Sequence, residues 1–247
     1  MIKLSKRMKA AASMVTTGNV LADIGTDHGY VPIALVQRGR IPSAIAMDIN
    51  KGPLEKAREH IVMCNLQDKI ETRLSDGTNA LTVGEADSIL IAGMGGELVL
   101  HILREGEAVC HSAKELVLQP QSDVHKVREY LRNNGYAIVD EDMIFEDGKY
   151  YPMMRAVPAP ENKAWGKLKP EAVTVCDLYG PILLKCGNPV LRKYLVKQHR
   201  KLIDILENLK KQPLSLAIEK RISEIEREIE YNESAYTILG AIKDAGI

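Results

Sequence analysis

The 247-residue sequence contains no apolar run of about 18 residues, so no segment is expected to span a membrane. Its first ten residues, MIKLSKRMKA, lack the long apolar core of a signal peptide. The four cysteines, Cys64, Cys110, Cys176 and Cys186, form no C-x-x-C pair. A reducing, cytoplasmic setting with free thiols is therefore expected. The histidines other than His28 (His60, His101, His111, His125 and His199) make no metal-ligand spacing with Cys64 or Cys110, and no metal is expected. Internal repeats and low-complexity tracts are absent. There is no excess of either charge, with 33 Lys and Arg against 33 Asp and Glu.

That balance hides a pattern. Residues 1–60 carry 9 basic and 5 acidic side chains, residues 61–162 carry 9 and 17, and residues 163–247 carry 15 and 11. Both ends are basic, which suits a polyanionic partner. The hydrophobic content of 45% and charged content of 27% fit a soluble globular chain. The length allows one sizeable α/β domain and something smaller.

Strand and helix signals alternate through the first half. Residues 4–15 predict an amphipathic helix with Lys6, Arg7 and Lys9 in its first half. NVLADIG predicts a buried strand ending at Gly25, and YVPIALVQRG a helix closed by Gly39. SAIAMDI, IETRLSDG, ADSILIAGMGG and KELVLQPQ predict four further strands. The helices between and after them are GPLEKAREHIVMCNL, a continuous ELVLHILREGEAV, and DVHKVREYLRNNG, the last capped by Asp123 and ended by Gly135. Such alternation means a parallel sheet with helices on both faces. YAIVDEDMIF, the turn EDG and KYYPMMRAV then predict an antiparallel hairpin. Five parallel strands followed by a β-hairpin is the order of the class I, Rossmann-like methyltransferase sheet.

PAPENKAWGKLKP reads as a boundary, dividing the chain into domains 1–161 and 162–247. Beyond it, Asn188 is expected to cap a helix running to about Lys211, and Ser215 to cap another. Ile218, Ile222, Ile225, Ile229 and Tyr236 make a heptad seam; Leu191, Leu195, Leu202, Ile205, Leu206 and Leu209 make a matching stripe. A link of two or three residues predicts an antiparallel, coiled-coil-like helical hairpin.

In a doubly wound sheet the ligand sits beyond the C-terminal strand ends, near the switch point between the first and fourth strands. Those ends carry residues 23–30 (DIGTDHGY), Asp48, Asp76 with Gly77, and residues 92–96 (AGMGG). A pyrophosphate wants backbone N–H groups and no nearby carboxylate. Asp23 and Asp27 would repel it and attract a cation. S-adenosylmethionine fits, since its sulfonium and amino groups are positive and it has no phosphate. Asp48 is placed for the ribose hydroxyls and Asp76 for the adenine amino group. The expected cofactor-binding residues are Asp23, Ile24, Gly25, Thr26, Gly29, Tyr30, Asp48, Ile49, Asn50, Asp76, Gly77, Ala92, Gly93, Met94, Gly95 and Gly96.

AGMGG occupies the strand end that faces a methyl acceptor. Enzymes that methylate exocyclic amines of adenine often have a polar residue, two prolines and an aromatic there. This chain has glycines, which bring backbone close to a flat ligand and favour a ring nitrogen as acceptor. Gln119 and Gln121 offer base-edge or cofactor contacts, and Tyr150 or Tyr151 a stacking face.

Taken together, LADIGTDHGYVPIAL, AMDINKGPLEKA, RLSDG, ILIAGMGGELV and LVLQPQSD resemble the bacterial tRNA (adenine-N1)-methyltransferases that modify adenine 22 in the D-arm. The resemblance runs the full length, helical hairpin included. It implies S-adenosylmethionine as donor, tRNA as acceptor, and residues 23–30, 48–50, 76–77 and 92–96 around the cofactor. Asp27 is then the first candidate to stabilise charge on the ring or to accept the N6 proton, and His28 the second. Lys6, Arg7, Lys9, Arg192, Lys193, Lys197 and Arg200, with Gln119 and Gln121, are the expected tRNA contacts. The chain is expected to act as a monomer. A helical RNA- or protein-binding adaptor and a methyltransferase for small molecules or proteins are the rival readings; the intact acids and the basic ends weigh against them.

Overall fold

Parallel strands covered by helices on both faces must be apolar on both faces. The computed structural model, which describes residues 2–159, 168–213 and 215–244, follows this rule. β1 (Leu21–Ile24) and β2 (Ala44–Asp48) are buried along nearly all their length. β3 (Ile70–Leu74) is the edge strand, and only Ile70 in it is buried. β4 (Ser88–Ala92) and β5 (Glu115–Gln119) are buried again. β1 pairs in parallel with β2 and β4, β2 with β3, and β4 with β5.

The chain then turns back on itself. β6 (Tyr136–Glu146) and β7 (Lys149–Pro158) pair antiparallel, and β7 also pairs antiparallel with β5. The sheet order is β3-β2-β1-β4-β5-β7-β6. The tight turn uses Asp147 and Gly148 at φ 49° and 78°, the left-handed pair that matches the twist of two strands. The fold class expected from the sequence is the one observed.

Helices cover the two faces. α1 (Lys6–Met14), α2 (Tyr30–Gln37) and α3 (Lys51–Met63) bring Ala11, Val31, Leu35 and Ile61 onto Leu21, Leu90 and Val117. α4 (Gly96–Glu105), α5 (Glu107–Ser112) and α6 (Val124–Asn133) bring Val99, Leu103, Cys110 and Leu131 onto Ile24, Ile89, Ile91 and Leu118. Odd and even positions of one strand thus serve opposite cores, as the pleat requires. Cys64, Cys110, Cys176 and Cys186 form no disulfide.

Two local expectations need correction. The helix expected over 97–109 breaks at Gly106, whose α-carbon lies against the Thr78 side chain with no room for a Cβ. Asp123 does not cap α6 with its side chain. It sits at φ 48°, and its carboxylate turns to Lys126 at 3.3 Å. The backbone of Ser122 and Asp123 is packed on Gly96, where a Cβ would collide with it, so packing fixes the entry into α6.

Contacts divide the chain into two compact units, Met1–Asn162 and Lys163–Ile247. The expected boundary at 161/162, with most of the proline-rich stretch, falls in residues 160–167, outside the described residues. The second unit opens with two short helices not foreseen individually, α7 (Pro170–Tyr179) and α8 (Pro181–Lys185). α9 (Pro189–Lys210) and α10 (Leu216–Asp244) form the hairpin. The Asn188 side chain caps α9, accepting from the N–H groups of Val190 and Leu191 at 2.9 and 3.0 Å. Ser215 accepts from Ile218 N at 3.3 Å. Pairing of Lys210 with Glu226, His199 with Glu233 and Arg192 with Leu239 shows the antiparallel course.

Lys211 closes α9 and Ser215 caps α10, so the link between the caps is as short as expected. The seam differs. Ile225 and Ile229 are buried, and then Asn232, Ala235 and Leu239 continue the stripe. Tyr236 is 42% exposed. A buried hydrogen-bonding residue takes the seam position at 232, and the helix face that follows selects Ala235 and Leu239, turning Tyr236 outward.

Candidate active site

The first three strand ends carry most of a hollow of about 430 Å³. Asp23, Ile24, Gly25 and Asp27 line it from the end of β1; Asp48, Ile49 and Asn50 from β2; Asp76 and Gly77 from the turn after β3. Ala92, Gly93 and Met94 close it from β4. This is the switch point of the sheet, where strand order reverses between β1 and β4.

Asp23 is buried, and its Oδ2 accepts from Thr26 Oγ1 at 2.6 Å. Burial pushes its carboxyl up to about 6; the Thr26 hydrogen bond works against this, while repulsion from Asp27 and Asp48 adds to it. Asp48 is oriented by Asn50 N, which donates to its Oδ1 at 2.7 Å. Ser75 N donates to Asp48 O at 3.0 Å, and Ser75 Oγ donates to Gly77 O at 2.9 Å, fixing the turn that presents Asp76. Gly25 sits at φ 72°, and the space of its missing Cβ is taken by the Met94 methyl group. Any side chain at 25 would need a disfavoured backbone and a displaced Met94.

Asp27 projects at the mouth with its side chain 69% exposed, and His28 Nε2 lies 3.2 Å from its Oδ1. His28 itself sits at φ 57°. Its ring stacks on Tyr30 at 5.4 Å, Tyr30 stacks on His60 at 5.1 Å, and His60 Nδ1 lies 3.0 Å from His28 O. His28 Nδ1 is buried without a hydrogen-bond partner. The column holds the imidazole edge toward Asp27.

The opposite end is built around Gly93. Gln119, wholly buried at the end of β5, accepts from Gly93 N at 3.1 Å and from Arg7 Nη1 at 3.4 Å through Oε1. These two donors fix the amide orientation and leave Gln119 Nε2 buried without a partner. Arg7 is also held by the Tyr151 ring at 5.3 Å and by Glu146 at 4.0 Å. Glu146 accepts from Lys6 N at 2.7 Å as well, tying the start of α1 to the end of β6. Gln121 N donates to Met94 O at 2.8 Å.

Not every expected residue lines the hollow. Thr26 stands behind Asp23, and Gly29 begins α2 at φ 71°. His28 and Tyr30 form the column beside the mouth. Gly95 and Gly96 lie at the start of α4, where Gly96 N donates to Ser122 Oγ at 3.2 Å. Gln119 lies behind Gly93 and Gln121 beside it. Lys6 and Lys9 are exposed on α1, whereas Arg7 turns into the hollow. Arg192, Lys193, Lys197 and Arg200 belong to the other unit. Sequence reasoning missed Met8, Ser75, Leu98 and Ile102 in the wall. Leu98 and Ile102 stand four apart on α4, a signal that helix periodicity offered.

The donor set suits a cation. Asp27 and Asp48 both repel charge on the buried Asp23 carboxyl, and a pyrophosphate brought among these three acids would meet like charge. A sulfonium and an ammonium would relieve that repulsion. Among the described residues no group of three or more His, Cys, Asp or Glu is placed to hold a metal ion. No helix among them is long and apolar enough to cross a membrane.

Comparison with known proteins identifies the family. Residues 4–154 match the family described as methyltransferase domain. The Bacillus subtilis (strain 168) tRNA (adenine(22)-N(1))-methyltransferase is 37% identical over 192 residues, covering 78% of this chain and 79% of the relative. The crystal structure of the B. subtilis m1A22 tRNA methyltransferase TrmK superposes with a TM-score of 0.86 at 32% identity, covering 96% of this chain and 100% of that one. Streptococcus pneumoniae Sp1610 in complex with S-adenosyl-L-methionine gives a TM-score of 0.80 at 32% identity, over 96% of this chain and 100% of that one. The chain belongs to the family of S-adenosylmethionine-dependent tRNA (adenine(22)-N(1))-methyltransferases.

Proposed function

We propose that this chain methylates N1 of adenine 22, in the D-arm of tRNA, and that the hollow at the ends of β1–β4 holds the methyl donor. The carrying observation is the hollow itself, with carboxylates at successive strand ends and a glycine floor at the acceptor end. S-adenosylmethionine supplies an activated methyl group there. Asp48 is the ribose ligand, Asp76 the partner of the adenine amino group, and Asp23 the buried counter-charge. Ile24, Gly25, Ile49, Asn50, Gly77, Ala92, Gly93 and Met94 complete the walls.

Adenine N1 has an in-plane lone pair and is uncharged at neutral pH, so no base has to act before attack. Positive charge then develops on the ring. Asp27 is the carboxylate that meets it, held by His28 at 3.2 Å. Gly93, flanked by Arg7 and Gln121, gives a flat base room to approach. Most of the acceleration comes from holding two reactants in line. N1 is paired within a duplex, so the target adenine must be unpaired or flipped out. Lys6 and Lys9 on α1, with the basic face of α9, supply phosphate contacts.

The test uses an unmodified tRNA transcript and isotopically labelled S-adenosylmethionine. Nucleoside mass spectrometry should find labelled 1-methyladenosine, lost when adenine 22 is replaced. No labelled 1-methyladenosine refutes the reaction. Undiminished label in the replaced transcript refutes the position.

A further inference from the structure

Tyr236 stands between two hollows of the helical hairpin, remote in sequence from every residue assigned to methyl transfer. One is a groove of about 560 Å³ with Val196 and Tyr236 among Arg192, Lys193, Lys197 and Arg200. The other, of about 480 Å³, brings His199, Asn232, Glu233 and Thr237 to the same tyrosine. Ala235 and Leu239 fill the seam, and the Tyr236 ring lies beside it, 42% exposed.

The ring is also preorganised. The Arg192 guanidinium carbon lies 5.5 Å from its centroid, and Arg192 Nη2 donates to Leu239 O at 2.7 Å. A backbone carbonyl therefore holds the cation against the ring before any ligand arrives. Lys193, Lys197, Arg200 and Lys201 extend the positive rim, against one acid, Asp204. A site for phosphate alone needs the cations but no aromatic floor. An ordinary solvated helix face needs neither. An aromatic ring beside a fixed guanidinium and a cationic rim matches one unpaired nucleotide, with its base on the ring and its backbone on the rim.

We propose that Tyr236 is a stacking platform for an unpaired base of the RNA substrate, with Arg192, Lys197 and Arg200 holding the adjoining backbone. This rests on the reading that the chain acts on tRNA. Stacking and phosphate contacts separate by salt: only the second releases counterions.

The experiment measures affinity of the full chain for a fluorescently labelled tRNA transcript across several salt concentrations. Tyr236→Ala should weaken binding roughly ten-fold or more, with an unchanged log–log salt slope. Tyr236→Phe should bind as the wild type does. Arg200→Ala should reduce the slope by about 0.7–0.9. Cofactor affinity and thermal melting should not change in any of the three. Wild-type binding by Tyr236→Ala overturns the platform, as does a lowered slope in that variant, which would make the ring a support for cations. A wild-type chain that neither binds nor methylates tRNA overturns the substrate reading as well, so the two failures are told apart.

Discussion

Asp23 tests the electrostatic reading of the hollow. Its folded pKa of about 6 lies above the usual 3.8, chiefly because the carboxyl is buried. A raised carboxyl pKa means that ionisation costs more in the folded chain than in the unfolded one. Stability is therefore complete below the unfolded value and falls as pH rises from about 3.8 to 6. Two pKa units amount to about 3 kcal/mol at pH 8, roughly half of that at pH 5, and almost none at pH 3. Asp23→Asn keeps the shape and a partner for Thr26 but has no charge to bury. It should raise the melting temperature of the cofactor-free protein at pH 8 by roughly 6–12 °C, by less at pH 5, and hardly at pH 3.

The same substitution should harm function. A cation brought into the hollow favours the ionised carboxyl, so wild-type cofactor affinity should fall as pH drops through 6. The Asn variant should bind more weakly at pH 8 and show a flatter pH profile between 5 and 7. Scanning calorimetry and cofactor titration on one preparation read both effects. A stabilisation equal at pH 3 and pH 8 would refute the argument, because no ionisation would then be involved. A destabilised variant at pH 8 would refute it as well, showing that the carboxylate is held by attraction rather than buried at a cost.

Three further outcomes are expected. Asp48→Ala should lose roughly 1.5–3 kcal/mol of cofactor binding, and an unchanged dissociation constant by titration would remove Asp48 from the ribose. Asp27→Asn should retain folding but lose most single-turnover methyl transfer at saturating cofactor; near-normal turnover would leave Asp27 as a loop residue. Asn232→Leu should destabilise the second unit by about 1–3 kcal/mol, because Asn232 bonds Leu195 O at 3.2 Å and Gln198 Oε1 at 3.3 Å and also partners the buried Tyr179 hydroxyl. Apolar seam logic alone predicts the opposite sign, so denaturant melts of the variant discriminate.

The fold was legible because its signals are local and repeated. Each buried strand is a short apolar run, and the connections between parallel strands, the one from β3 to β4 excepted, are helices with recognisable ends. Topology then makes the site legible: parallel strands put all their C-terminal ends on one edge, so Asp23, Asp48 and Asp76, far apart in sequence, must converge. No comparable rule reaches Arg7 and Met8. They arrive on α1, outside the repeating strand–helix unit, and α1 is fixed by Glu146 and Gln119, each more than a hundred residues away. The sequence offers Arg7 as a basic tRNA contact, and only the structure shows Tyr151 and Gln119 holding it in the hollow.

The helical unit shows a different limit. A heptad describes which positions face a partner, but not which side chain a crowded position accepts. At 232 the facing position holds an asparagine, and its three partners, Leu195, Gln198 and Tyr179, come from two other helices. No pattern along α10 encodes those partners. With 232 and 239 in the seam, the intervening contact falls between 235 and 236, and the smaller Ala235 is the one buried. Tyr236 is thereby released to the surface beside Arg192. The residue that sequence periodicity assigned to the core is the one that tertiary packing makes available to a ligand.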